Sequence, residues 1–108
     1  MTLKERPDLA DGEGVMVKVL LERVIKGKNV GEIVRLLRQM RIRAMQQPGY
    51  ISGETLHAVD DPNLYLVIST WESIAHWHSW VQSPERRQLQ EEIDTYLQSP
   101  TVERVFTY

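Results

Sequence analysis

Three histidines and three tryptophans are the side chains of this 108-residue sequence with the widest chemical reach. His57, His76 and His78 can each take or give a proton near neutral pH. His76 precedes Trp80 by four residues, so a helix carrying both presents them on one face. His78 shares such a face with Ile74 and Val81, and His57 has the strand parity of Ile51, Gly53 and Thr55. The competing reading for each is a surface or packed histidine without a task. His76-Trp77-His78 suggests a ligand pair, but residues two apart on a helix point about 200° apart and cannot share an ion. No third ligand is spaced to help, so no metal is expected. Trp71, Trp77 and Trp80 offer flat apolar faces to an aromatic ligand and an indole N–H as a donor. Core packing is the alternative for all three and the expected role of Trp77. Tyr65 offers a phenol proton, against a core or interface role.

Other chemistries are missing by residue type. The absence of cysteine removes disulfides, thiolate zinc sites, iron–sulfur clusters and cysteine nucleophiles. There is no GxGxxG or GxxxxGK loop for a nucleotide, and no serine on a recognisable nucleophile elbow. Arg35, Arg38, Arg41 and Arg43 cluster, but fifteen acids offset the basic residues to a net charge of −2. Without interleaved aromatics the cluster reads as a solvated helix face, and no nucleic-acid partner is expected. The first fourteen residues lack the apolar run of roughly 7–15 residues that a secretory signal needs. Nothing approaches the roughly 20 apolar residues of a membrane span, so a cytoplasmic protein with no membrane partner is the expectation.

The elements that must position these residues follow from periodicity. With 42% hydrophobic and 26% charged residues, the chain has one globular domain's worth of core. Residues 1–14 are polar, carry Pro7, Gly12 and Gly14, and read as a flexible tail before a domain over 15–108. Val15 to Ile25 is rich in β-branched residues and reads as a strand ended by Gly27. Asn29 with Glu32 makes a capping-box-like start, and Val30, Ile33, Val34, Leu37, Met40 and Ala44 give a helix with one buried stripe. Pro48-Gly49 stops it. Tyr50–Ala58 and Leu64–Trp71 flank the turn Asp60-Asp61-Pro62-Asn63 and form a hairpin. Ser73 caps a helix running through Gln82, and Ser83-Pro84-Glu85 begins another, with Leu89, Ile93, Tyr96 and Leu97 as its stripe, ended by Ser99-Pro100. Val102 to Tyr108 alternates as a last strand.

The order β-α-β-β-α-α-β with right-handed crossovers leads to an α+β, ferredoxin-like split βαβ sandwich with an antiparallel sheet. Its helices cover one sheet face. Yet the first strand is apolar on both parities, Val15, Val17, Val19 and Leu21 against Met16, Leu20 and Val24. The third strand repeats this, with Leu64, Leu66 and Ile68 against Tyr65, Val67 and Trp71. A second copy of the chain covering the bare face, as a homodimer with sheets packed face to face, is the economical solution.

Pro48-Gly49-Tyr50 after the strand and helix, then Trp71-Glu72-Ser73, then Trp80 followed by Ser83-Pro84-Glu85, resemble the antibiotic biosynthesis monooxygenase family of dimeric α+β barrels. The resemblance spans about residues 15–108. It implies two ferredoxin-like subunits paired through their sheets, each with a pocket between sheet and helices. That family includes cofactor-independent oxygenases of phenols and quinols and a haem-degrading branch. The haem branch places an asparagine, a tryptophan and an axial histidine where this chain has Glu22, Trp80 and Gln90. Trp80 matches, but a glutamine lacks the imidazole that ligates iron, which makes haem degradation unexpected.

The resemblance therefore implies an oxygenase acting on an aromatic or quinol-like molecule with no cofactor. Such chemistry asks for a dry cavity, a base that removes a substrate proton, and a donor that stabilises the anion. His76 is the first candidate base because Trp80 occupies the family's pocket position; Glu22, if it faces the pocket, and His57 are the others. Trp71, Trp80 and Tyr65 are the candidate substrate contacts. Two rival classes use the same fold: a non-catalytic module binding a small apolar ligand, and a structural dimerisation domain whose pocket is filled by Trp71 and Trp80.

Overall fold

The computed structural model describes residues 15–27 and 30–108. The tail expected over 1–14 and the Asn29 cap lie outside the described residues. The elements are β1 (Val17–Val24), α1 (Gly31–Met45), β2 (Tyr50–His57), β3 (Leu64–Trp71), α2 (Ile74–Gln82), α3 (Pro84–Asp94) and β4 (Val102–Thr107). Every strand pairing is antiparallel, in the order β2-β3-β1-β4. This is the ferredoxin-like arrangement that the element order implied.

Strand parity decides which side chains meet the helices. In β1, Val17, Val19, Leu21 and Arg23 are buried, while Lys18, Leu20, Glu22 and Val24 point the other way. Register carries the same face across the sheet, setting Trp71 opposite Val17, Ser69 opposite Val19 and Tyr65 opposite Arg23. Against this face pack Ile33, Leu36 and Met40 of α1, Trp77 and Trp80 of α2, and Leu89 and Ile93 of α3. The helix-free face presents Leu20, Leu66 and Ile68 at its centre, with Leu56, Val102 and Phe106 exposed around them.

Local signals explain most boundaries. The Asp61 side chain accepts from the backbone N–H of Asn63 at 3.0 Å, the self-bonding turn that joins β2 to β3. Ser73 accepts from the backbone N–H of His76 and Ser83 from that of Arg86, each at 3.2 Å, so both serines cap as their positions implied. The Glu32 carboxylate makes a two-pronged pair with Arg35. The α1 arginines are also more than a solvated face. Arg43 reaches Glu85 of α3 at 2.8 Å, and Arg41 donates to the Gly53 carbonyl of β2 at 3.0 Å.

The last helix stops at Asp94, short of the expected Ser99-Pro100. The Thr95 hydroxyl donates back to the Glu92 carbonyl at 2.7 Å, and the chain then leaves the helix to extend the sheet. Lys26 N–H donates to Tyr96 O and Gln98 N–H to Val24 O, with Ile25 bridging Leu97. These bonds satisfy the end of β1 and bury Leu97 without helical continuation.

Gly49 is the position where backbone freedom matters most. Its φ is +85°, and a Cβ there would overlap the imidazole of His76. Its carbonyl also accepts from Glu72 N–H at 2.7 Å, tying the turn to the end of β3. Gly49→Ala is expected to cost about 1–3 kcal/mol for the left-handed backbone alone, with the displaced histidine adding to it. A fall in the urea midpoint at unchanged slope is the readout.

Candidate functional site

Between the covered sheet face and the helices lies a cavity of about 60 Å³. Leu21 and Val67 of the sheet, Leu37 and Met40 of α1, and Trp71, Trp77 and Trp80 give it apolar walls. It reaches solvent between α1 and β2, where the exposed residues Arg41 and Thr55 line it. Tyr50 stands beside this mouth, its hydroxyl lying where a Cβ on Gly53 would be, and its ring meets Trp71 edge-on at 5.4 Å. Trp71 in turn meets Trp77 edge-on at 5.6 Å and spends its indole N–H on the Ser69 hydroxyl at 3.0 Å.

Beside the hydroxyl-bearing residues Tyr50, Thr55 and Ser69, the cavity is lined by buried arginines. Arg23 of β1 is 2% exposed and Arg86 of α3 is 7% exposed, and both line it. The Arg23 Nε, the Arg86 Nε and the Trp77 indole Nε1 are all buried without a hydrogen-bond partner. A buried unpaired donor costs about 1–3 kcal/mol, more when charged, so three in one place call for an explanation. Among the described residues, no aspartate, glutamate or histidine lines the cavity. The Arg86 guanidinium stacks on Trp77 at 5.5 Å, and Arg23 Nη2 donates to Gln90 Oε1 at 2.9 Å.

These cations are held under electrostatic stress. Burial and, after it, repulsion from Arg86 together lower the Arg23 pKa to about 10, with attraction to Asp94 partly opposing them. Burial likewise lowers that of Arg86, opposed by the charges of Glu103 and Asp94. Those two acids line a separate open cleft of about 520 Å³ between the end of α3 and β4, which Arg86 also borders. Two guanidiniums thus border the cavity, with Asp94 and Glu103 near enough to offset part of their charge. Such a site suits an anion with acceptor oxygens.

The expected site residues divide sharply. Trp71 and Trp80 line the cavity and are also core residues, 0% and 2% exposed, so wall and core are the same side chains here. Trp77, expected only to pack, contributes an open donor as well. Tyr65 is buried outside the cavity, where its ring meets that of His57 at 4.2 Å. His76 is absent from the lining; its Nδ1 pairs with the Ser73 hydroxyl at 2.8 Å, and its ring packs on Gly49. His78 is exposed. Glu22 does not face the cavity: strand alternation puts it, exposed, on the helix-free face. The three candidate bases are thus not brought together with the tryptophans. Arg23 and Arg86 were missed, although Arg23 continues the inward parity of Val17, Val19 and Leu21, and Arg86 precedes Leu89 and Ile93 at helical spacing.

The residues do not fit a haem. Gln90 sits where the haem-degrading branch has its axial histidine, and both ends of its amide are occupied. The oxygen accepts from Arg23, and the nitrogen donates to Asp94 at 2.7 Å and Thr101 at 3.3 Å. Among the described residues no group of three potential metal ligands occurs, and no helix is long and apolar enough to cross a membrane.

The fold has many solved counterparts. SnoaB, a cofactor-independent oxygenase from Streptomyces nogalater, superposes with a TM-score of 0.79 over 87% of this chain and 93% of its own, at 16% identity. A conserved protein from Methanosarcina mazei Go1 gives 0.80 over the same shares at 13% identity. At these identities the likeness is one of fold. In sequence, Protein SchA of Streptomyces halstedii is 26% identical over 96 residues, 89% of this chain and 25% of SchA. A 42.8 kDa protein of the whiE locus of Streptomyces coelicolor is 28% identical over 83 residues, 77% of this chain and 21% of that protein. The chain spans about a quarter of the length of these curated relatives or less. The family model described as antibiotic biosynthesis monooxygenase matches residues 16–92. With most of its sheet and helices inside that match, the chain belongs to the antibiotic biosynthesis monooxygenase family.

Proposed function

We propose that this protein is a cofactor-independent monooxygenase that oxidises an aromatic or quinol-like molecule with dioxygen in the tryptophan-walled cavity. The observation that carries the reading is the set of Arg86, Arg23 and Trp77 around a cavity that no acidic side chain lines among the described residues. An electron-rich phenol or enol reacts with dioxygen only as its anion. A phenol ionises near pH 10, and an opposite charge within reach lowers such a value by about 1–3 units. Two buried guanidiniums therefore bring ionisation toward neutrality and make a weak acceptor, such as water at the mouth, an adequate base. The anion passes one electron to dioxygen, the substrate radical and superoxide join as a carbon-bound peroxide anion, and the proton first given to the base returns to make the hydroperoxide. Loss of water then leaves a carbonyl: one CH₂ and one O₂ become one C=O and one H₂O. The protein supplies dryness, ring stacking and charge.

A cavity of about 60 Å³ is small beside the roughly 300–1,000 Å³ typical of ligand sites, so binding enlarges it. Met40 and Leu37 are adaptable walls, and the Arg41 contact to Gly53 is the bond across the mouth that entry must break. The apolar helix-free face supports a homodimer with sheets in contact, which removes that face from water.

Incubation of a panel of quinols and phenolic ketones under ¹⁸O₂ tests the oxygenase reading. One labelled oxygen per product, with no added metal or flavin, is expected. Thermal stabilisation by the same compounds without incorporation would replace the enzyme by a binding module.

A further inference from the structure

We infer that Met40 is an oxidation site: its thioether takes an oxygen atom from a hydroperoxide held in the cavity, and the sulfoxide formed there shuts the site down. This rests on the proposed function for the source of the hydroperoxide, and goes beyond it by assigning a modification to the cavity wall. Three methionines lie among the described residues. Met16 and Met45 are 37% and 54% exposed, whereas Met40 of α1 is 7% exposed and lines the cavity. Free peroxide in solution therefore meets the first two, and a peroxide inside the cavity meets Met40. A cavity of about 60 Å³ must enlarge to take an aromatic ring, and the unbranched Met40 side chain is one of the walls that yields. Yielding keeps that side chain against the ligand.

The chemistry leaves the hydroperoxide waiting beside Met40. Its conversion to a carbonyl needs a base to take the hydrogen from the peroxide-bearing carbon as water departs. Among the described residues no aspartate, glutamate or histidine lines the cavity, which leaves that step to water at the mouth. A thioether needs no base. The sulfur lone pair attacks the outer peroxide oxygen, the O–O bond breaks, and the departing oxygen keeps the electron pair and picks up the hydroperoxide proton. ROOH and a thioether thus become ROH and a sulfoxide: sulfur is oxidised by two electrons, the peroxide is reduced by two, and nothing else is consumed. The sequence has no cysteine to compete for the peroxide. The indole rings of Trp71, Trp77 and Trp80 accept an oxygen atom less readily than a thioether does. Sulfoxide formation converts a flexible apolar side chain into a polar, chiral one. On a wall shared with Leu21, Leu37 and Val67, it replaces an apolar contact for the substrate ring with an acceptor oxygen.

Cumene hydroperoxide, which is aromatic, and hydrogen peroxide are the probes, and peptide mass spectrometry of the treated full chain reads each methionine separately. Hydrogen peroxide is expected to oxidise Met45 and Met16 ahead of Met40. Cumene hydroperoxide should raise the ratio of Met40 to Met45 sulfoxide at least about 10-fold, a modest share of what proximity in a bound complex supplies. An unchanged ratio overturns the inference and needs no turnover to be seen. Turnover of quinols under ¹⁸O₂, with catalase present, supplies the second arm: Met40 should acquire label, and activity should fall in step with it. In Met40→Leu the loss of activity, measured against that variant's own initial rate, should slow; if the variant does not fold, the label in the unsubstituted protein decides. Labelled product with unlabelled Met40, or activity that survives complete labelling of Met40, overturns the inference and leaves the oxygenase standing. A Met40 preference for cumene hydroperoxide with no incorporation from any quinol would leave the oxidation site standing and remove the oxygenase.

Discussion

Ile68→Lys is expected to turn a dimer into folded monomers. Ile68 sits in β3, opposite Leu20 in β1 and Glu54 in β2, with its side chain on the helix-free face. Around it lie Leu66 and, farther out, Leu56 and Phe106, 44% and 49% exposed. Among the described residues nothing covers this surface, because all three helices lie on the opposite side. In a face-to-face pair, a lysine at the centre of the patch would bury an ammonium against its symmetry mate, with like charges adjacent. A central interface position of this kind is worth about 2–4 kcal/mol or more, so the dissociation constant should rise by at least roughly 30- to 1,000-fold. Sedimentation across a micromolar dilution series measures it. The far-ultraviolet circular dichroism should hardly change, because the position points away from the core. A dimer of unchanged affinity would place the contact elsewhere, and a monomeric parent protein would remove the dimer altogether.

The same two-sided patterning shows why much of this fold was legible. Leu64–Trp71 is a β-branched run bounded by Asp, Pro and Asn, with no competing periodicity, and its observed limits match the reading. Ser73 and Ser83 announce their helices through side-chain oxygens that find the expected N–H groups. The end of α3 was less legible, because Tyr96 and Leu97 keep the apolar spacing of Leu89 and Ile93. What stops the helix is a long-range competitor, the open edge of the sheet at Val24 and Lys26. Periodicity reports which residues are buried and is blind to whether a helix or an irregular segment buries them.

The site was legible in its walls and hidden in its charges. Trp71 and Trp80 are large apolar residues on a recognisable framework, so any pocket there had to include them. The search for a base favoured histidines and a glutamate because those groups titrate near the working pH. The structure sets each of them elsewhere: His76 at a helix cap, His57 against Tyr65, Glu22 on the outer face. The cavity is instead built from groups that never lose their protons at neutral pH. Arginines are seldom buried and are usually read as surface residues, so Arg23 drew no role from the sequence. Its parity with three valine and leucine positions was the better guide.

Arg86→Met should separate catalysis from folding. If Arg86 and Trp77 cradle the developing oxyanion, removing the guanidinium deletes a donor and a full charge from a site sheltered from water. Loss of a single oxyanion donor costs about 10²–10³ in rate, roughly 3–4 kcal/mol, and a charged donor belongs at the upper end. The loss should fall on kcat more than on KM, because the charge acts on an anion that the resting substrate does not yet have at that oxygen. Stability should move the other way. Arg86 lies buried over Trp77 with an unpartnered Nε, and burial already works against its charged state. Methionine keeps much of the volume and the contact with the indole while removing the desolvated charge, so thermal unfolding should occur at the same temperature or higher. A purely structural arginine predicts the reverse pair of results, a lower unfolding temperature with the rate per folded molecule intact. Measuring ¹⁸O incorporation and thermal unfolding on one preparation decides between them: an active site keeps a buried cation at a cost to the resting fold, and a strut does not.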